Sequence, residues 1–175
     1  QPLSFLQTAG AKSVGIETYT FSKTFNMAGW RVGFAVGNAD MIAALNLIQD
    51  HLFVSIFPAI QDAAIAALAQ RKQRTDAVGQ LQAVYESRRN AFINAVRSFN
   101  WEPYVPKGAF YVLMPVPKGY TSAQFAELLL NRANVAVADA SGFGDAGEGY
   151  VRVGLTITED RLVEAANRIK ALNLF

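Results

Sequence analysis

The spacing of apolar positions changes several times along the chain, and each change marks an element. From Ser13 to Ser22, closely spaced Val14, Ile16, Tyr19 and Phe21 lie among threonines, which predicts a mostly buried strand. The ten residues before it, with Pro2 and Gly10, read as a connector. A polar turn over Ser22 to Gly29 leads into a second short strand, Arg31 to Gly37. Asn38 or Asp40 then caps a helix from near Met41, with Ile42, Leu45 and Ile48 at helical spacing. Pro58 suits the first turn of an alanine-rich helix reaching Leu68. Between Thr75 and Phe99, Leu81, Tyr85, Phe92 and Val96 share one face and Arg88, Arg89 and Arg97 fall largely off it, so a long amphipathic helix is expected.

After Trp101 the texture shifts. Pro103, Pro106 and Gly108 punctuate a loop, Ala109 to Met114 is strand-like, and Thr121 with Gln124 predicts a capping box opening a helix to about Arg132. A short strand over Val135 to Ala138, a glycine-rich loop over Ser141 to Gly149, a strand over Tyr150 to Thr156 and a helix capped by Thr158 and ending near Leu172 complete the pattern. The order strand, helix, strand, strand, helix describes an α+β or α/β module, and the opening strands read as the tail of a larger α/β sheet.

Composition narrows the classes of function. With 175 residues, 51% of them hydrophobic and 17% charged, the chain can bury a core as one domain or two small pieces. Sixteen Lys and Arg against fourteen Asp and Glu leave a net charge of +2 without like-charge clusters, so neither nucleic acid nor a membrane surface is an expected partner. The absence of cysteine excludes disulfides, thiolate metal sites and a cysteine nucleophile, and suits the reducing cytoplasm. A single histidine, His51, excludes a His-rich metal site and reads as a surface or helix-end residue. No apolar run approaches a membrane span and no basic-then-apolar leader is present. The chain begins at Gln1, which suggests a processed or truncated protein.

Candidate chemistry concentrates in Thr20-Phe-Ser-Lys-Thr-Phe-Asn-Met-Ala-Gly-Trp-Arg-Val-Gly33. The hydroxyls of Thr20, Ser22 and Thr24, the ammonium of Lys23 and the guanidinium of Arg31 are donors suited to an anion, while Gly29 and Gly33 let backbone approach closely. Composition alone favours the plainer reading, a solvated turn with an ordinary Lys and Arg. The second candidate is Gly149-Tyr-Val-Arg-Val-Gly-Leu-Thr156, where Val151, Val153 and Leu155 take one face of a strand and Tyr150, Arg152 and Gly154 the other. A guanidinium there meets an anion, pairs internally or faces solvent, and Gly154 leaves a gap beside it.

The run Ser-Lys-x-Phe-x-Met-x-Gly-Trp-Arg-x-Gly resembles the cofactor-lysine signature of the class I and II aminotransferases, fold-type I enzymes that use pyridoxal 5'-phosphate (PLP). The resemblance covers essentially the whole chain, as the C-terminal half of such an enzyme. It implies an α/β fold in which residues 1–75 finish the large PLP-binding domain, a mixed sheet with helices, and residues 76–175 form the bridging helix and a small α+β C-terminal domain. By the same resemblance Lys23 forms the Schiff base with PLP, Thr20 and Arg31 with Ser22 hold its phosphate, and Arg152 grips the substrate α-carboxylate. The freed Lys23 then shuttles a proton, which calls for burial or a cationic neighbour such as Arg31.

The implied reaction moves an amino group between an amino acid and a 2-oxo acid by a ping-pong route, in a cytoplasmic homodimer. The branch containing the alanine and LL-diaminopimelate aminotransferases is the nearest, from Gly10-Ala-Lys12 through Phe34-Ala-Val-Gly37. The groups that contact the cofactor ring fall outside these residues, so the chain alone is expected to be inactive. Lys107-Gly-Ala-Phe-Tyr111 resembles the strand entering the small domain, with Phe110 and Tyr111 read as core, and Asp139-Ala140 stands where relatives usually carry Pro-Gly. Two alternatives share these residues: a fold-type I lyase, synthase or decarboxylase, and an aminotransferase-like sensing domain of a transcriptional regulator.

Overall fold

The computed structural model describes residues 3–72 and 77–175, and the chain divides into two compact units, Gln1–Gln80 and Leu81–Phe175. In the first unit the expected connector is structured. A 3-10 turn (Phe5–Gln7) and one helical turn, α1 (Ala11–Val14), precede β1 (Ile16–Thr20). Ser4 caps the 3-10 turn, and the Glu17 carboxylate accepts hydrogen bonds from the Ser4 hydroxyl and the Leu6 amide. Val14, expected in the strand, belongs to α1 and is exposed. Thr20 ends the strand because its hydroxyl caps α2 (Phe21–Thr24), accepting from the Ser22 amide. A second 3-10 turn, Ala28–Trp30, leads to β2 (Gly33–Gly37), which starts two residues later than expected because Arg31 sits in the left-handed region at φ 53°.

The expectation of a mostly buried β1 fails. Thr18, Tyr19 and Thr20 are exposed, as are Phe34 and Val36 of β2. Among the described residues β2 is the sole strand paired with β1, antiparallel from Ile16 opposite Gly37 to Thr20 opposite Gly33. Its apolar side chains therefore pack with each other, as in the Tyr19–Phe34 ring stack at 5.0 Å, a cross-strand pair. Asn38 caps α3 (Ala39–Leu52) through the Met41 amide, and His51 lies exposed in its last turn. Pro58 opens α4 (Pro58–Lys72), whose Ile60, Ala63, Ala64 and Ala67 recur at helical spacing and pack on Phe21, Phe25, Met27 and Val32.

Helix α5 (Ala77–Arg97) begins before the boundary and in the second unit buries Phe92, Ile93 and Val96; its expected start at Thr75 lies outside the described residues. Then come β3 (Tyr111–Pro115), α6 (Ser122–Leu128), β4 (Ala138–Asp139), β5 (Tyr150–Gly154) and α7 (Glu159–Lys170). The three strands form an antiparallel sheet in the order β3-β5-β4. Val112 and Met114 stand opposite Val153 and Val151 on its buried face, against Phe92, Val96, Trp101, Phe125, Leu129, Leu162 and Ile169. The Trp101 indole donates to the Pro115 carbonyl at 2.8 Å.

The Thr121–Gln124 capping box forms as expected, but the last turn of the predicted helix is a π-turn, Leu129–Ala133. Positive φ at Asn134 ends it, and the expected Val135–Ala138 strand shrinks to Ala138–Asp139. Ala109 at φ 66° likewise delays β3. Thr158 precedes α7 without capping it; its hydroxyl bonds the Asp160 carboxylate and holds that group below its usual range.

Phe125 is fully buried, and Phe125→Ala is expected to lower stability by about 3–5 kcal/mol, measured by chemical denaturation. The Ser4 hydroxyl, aided by the Tyr19 hydroxyl and the Leu6 amide, holds the Glu17 carboxyl below the ordinary carboxylate range. A lowered folded-state pKa means this tie is complete at neutral pH and disappears as pH falls through the depressed value. An NMR titration of the Leu6 amide should show a midpoint below that of a free glutamate.

Candidate active site

The segment between the paired ends Thr20 and Gly33 carries four of the five expected site residues. Its shape follows from where its backbone hydrogen bonds go. The Phe21 amide donates to the Val32 carbonyl, and the Phe21 carbonyl accepts from both Phe25 and Met27. Phe21, Met27 and Val32 are buried against α4, so the residues between them are displayed rather than packed. Gly33 is required: a Cβ there would lie 2.4 Å from the Tyr19 carbonyl oxygen. Gly29 faces open space, so close approach does not explain it in this structure.

Thr20 and Ser22 come together, with the Thr20 hydroxyl donating to Ser22 Oγ at 2.9 Å and accepting from the Ser22 amide at 3.1 Å. Lys23 follows in the last turn of α2 and is exposed, so of the two expected sources of activation, burial or a cationic neighbour, burial is not what these residues supply. Arg31 is exposed and anchors one N–H, Nη1, on the Ala28 carbonyl at 2.9 Å, leaving the rest of its fork uncommitted among the described residues. The loop therefore presents two hydroxyls, an ammonium and a guanidinium from one backbone excursion, a donor set matched to a phosphorylated ligand.

Arg152 lies in the second unit, at the middle of β5, between Leu113 of β3 and Ala138 of β4. Val151 and Val153 are buried and Arg152 is half-buried on the opposite face, as the alternation predicts. The gap expected beside Gly154 is filled by the ring of Tyr111, whose Cε1 would lie 3.8 Å from a Cβ at that position. Tyr111 and Phe110 are thus half-buried rather than core, and Tyr111 shares the Arg152 face because it alternates with buried Val112.

The loop before β5 is built on a residue that sequence reasoning missed. Ser122, the first residue of α6, is fully buried. Its hydroxyl accepts from the Gly149 amide at 2.9 Å and the Tyr150 amide at 3.1 Å, and its own amide donates to the Glu148 carboxylate. Gly147 packs its Cα on the Ala140 carbonyl, where a Cβ would sit 2.0 Å away. Asp139 accepts from the Ser141 amide at 2.8 Å, so the Asp-Ala pair turns the chain through a side-chain bond. Phe143, also missed, reaches the Arg152 guanidinium at 4.0 Å. A phenylalanine between two glycines in a polar loop was the signal available for it.

The profile of the family described as aminotransferase class I and II matches residues 3–169. The chain belongs to that family. It is 61% identical over its whole length to an L-glutamine–4-(methylsulfanyl)-2-oxobutanoate aminotransferase of Bacillus subtilis, covering 43% of that protein. It is 44% identical to an LL-diaminopimelate aminotransferase of Moorella thermoacetica, over 95% of this chain and 42% of that one. The structure of apo-BacF from Bacillus subtilis superposes with a TM-score of 0.93 at 42% identity, over 99% of this chain and 44% of that one. The aminotransferase chain thus spans less than half the length of the relatives it matches, with the expected α/β fold. Among its described residues no helix is long and apolar enough to cross a membrane.

Replacing Ser122 by alanine leaves the Gly149 and Tyr150 amides without their acceptor. The expected cost is about 1–3 kcal/mol, read by chemical denaturation together with faster hydrogen exchange at those two amides.

Proposed function

We propose that this chain forms part of a PLP-dependent amino-acid:2-oxo-acid aminotransferase, with Lys23, Thr20, Ser22 and Arg31 as its cofactor site and Arg152 as its substrate-carboxylate site. The observation that carries the proposal is the gathering of Lys23, Arg31 and the bonded Thr20–Ser22 hydroxyls in one loop of a class I and II aminotransferase chain. The division of labour follows the sequence: residues 1–75 belong to the cofactor domain and residues 76–175 to the bridging helix and small domain. The parent enzyme acts as a cytoplasmic homodimer.

The donor set fits the cofactor. Thr20 and Ser22 would donate to its phosphate and Arg31 would neutralise that charge with its free N–H groups. Lys23 would hold the aldehyde end through Nζ. Bound pyridoxal phosphate supplies an electron-poor ring that stabilises negative charge at the substrate's α-carbon. The chain's own residues do the rest. Nζ of Lys23 takes the proton from the α-carbon and returns it, acting as base and then acid. Arg152 orients the substrate by a two-pronged contact with its carboxylate, which decides the α-carbon bond to be broken. The pair to assay first is glutamine with 4-(methylsulfanyl)-2-oxobutanoate, the substrates in the name of the 61% identical relative, with LL-diaminopimelate for comparison.

In the full-length enzyme, borohydride reduction followed by peptide mass spectrometry should find the pyridoxyl-phosphate adduct on Lys23. Lys23→Ala should abolish it and lower kcat by about 100-fold or more. Arg152→Lys should raise KM for the amino acid by roughly tenfold or more, since a hydrogen bond between charged groups is lost. An adduct on another lysine, or undiminished turnover without Lys23, rejects the assignment.

A further inference from the structure

Arg152 is half-buried, and among the described residues its guanidinium has neither a hydrogen bond nor an ion pair. What it has is two rings. Its Cζ lies 4.1 Å from the Tyr111 ring centroid and 4.0 Å from that of Phe143. Among the described residues no ring contact joins Tyr111 to Phe143, so the two lie on different sides of the guanidinium. Tyr111 comes from the neighbouring strand, where its ring lies over the side-chain-free Gly154 and beside Arg152. Phe143 comes from the loop that Ser122 and Gly147 tie down, and it is 63% exposed. Core packing does not account for an exposed loop phenylalanine, and among the described residues the Arg152 guanidinium is the one group its ring pairs with.

A guanidinium carries its five N–H donors around its edge and none on its faces. Covering both faces with aromatic rings strips them of water, fixes the plane by cation–π attraction, and leaves only the edge for a ligand. A carboxylate is flat and pairs with such an edge in its own plane. A tetrahedral head group must raise an oxygen out of that plane, toward one ring or the other.

We propose that Tyr111 and Phe143 are positioning and specificity-determining residues for Arg152: they clamp its guanidinium so that the site accepts a planar carboxylate in preference to a tetrahedral anion. This rests on the reading of Arg152 as the carboxylate grip, and it adds two residues and a selectivity to that reading.

The test uses the full-length enzyme, an amino acid substrate and, as competitive inhibitor, the 1-aminoalkylphosphonate with the same side chain. Phe143→Leu keeps an apolar loop residue but removes the ring. It should raise KM for the amino acid about two- to fivefold, with kcat within about twofold, and narrow the preference for carboxylate over phosphonate. Phe143→Tyr restores the ring and should restore both values. If Phe143→Leu changes neither KM nor the preference while Arg152→Lys raises KM, the clamp is rejected and the carboxylate grip stands. If Arg152→Lys also leaves KM unmoved, both are rejected.

Discussion

Thr20 faces Gly33 across the β1–β2 ladder, and the display of Lys23 and Arg31 depends on that closure. The strands come this close because position 33 has no side chain to set against the Tyr19 carbonyl. With the ends fixed, the intervening residues must double back within a short length. They do so around the carbonyl of Phe21, which serves two amides at once, and through left-handed backbone at Asn26 and Arg31. Phe21, Met27 and Val32 then pull the inner side of the loop onto a small-residue face of α4. Alanine at positions 63, 64 and 67 keeps that face shallow, so the loop settles on it and its polar side chains point away.

The second unit reaches a similar end by a polar route. There a buried hydroxyl replaces the buried phenyl ring: Ser122 gathers the backbone of Gly149 and Tyr150, and its amide holds Glu148. Gly147 performs for the Ala140 carbonyl what Gly33 performs for Tyr19. In both units a glycine sets how closely two stretches of backbone approach, and one buried anchor decides which way the intervening loop faces. The sheet β3-β5-β4 adds alternation, committing Val151 and Val153 to the core and leaving Arg152 on the other side.

Much of this was legible in the sequence where local chemistry decides the outcome. The Asn38 cap, Pro58 at a helix start, the Thr121–Gln124 box and the alternation around Arg152 each depend on neighbours a few residues away. So does the signature around Lys23, whose spacing is read directly. What could not be read depends on distant partners. The burial expected of β1 presumed a covering layer, and the β-rich run around Val14 gave no hint that Gly10 and Gly15 would bracket a helical turn. A serine directly after a capping threonine looks like any helix-start residue, and only the fold brings residues 147–150 to it. Tyr111 reads as core by composition, yet strand parity turns it toward Arg152.

The two rings beside Arg152 differ in how they are mounted. Tyr111 rises from a paired strand whose inner face is sealed into the core, so its plane is as fixed as the sheet itself. Phe143 sits between Gly142 and Gly144, both with open space around them, Gly144 at φ 128°. One jaw stands on the sheet, and the other on a short turn whose Phe143 and Gly144 amides bond the Ala140 and Ser141 carbonyls. A molecule of different bulk entering at that edge meets the sheet on one side and the loop on the other, so its fit can be altered at a few loop positions while the sheet stays untouched.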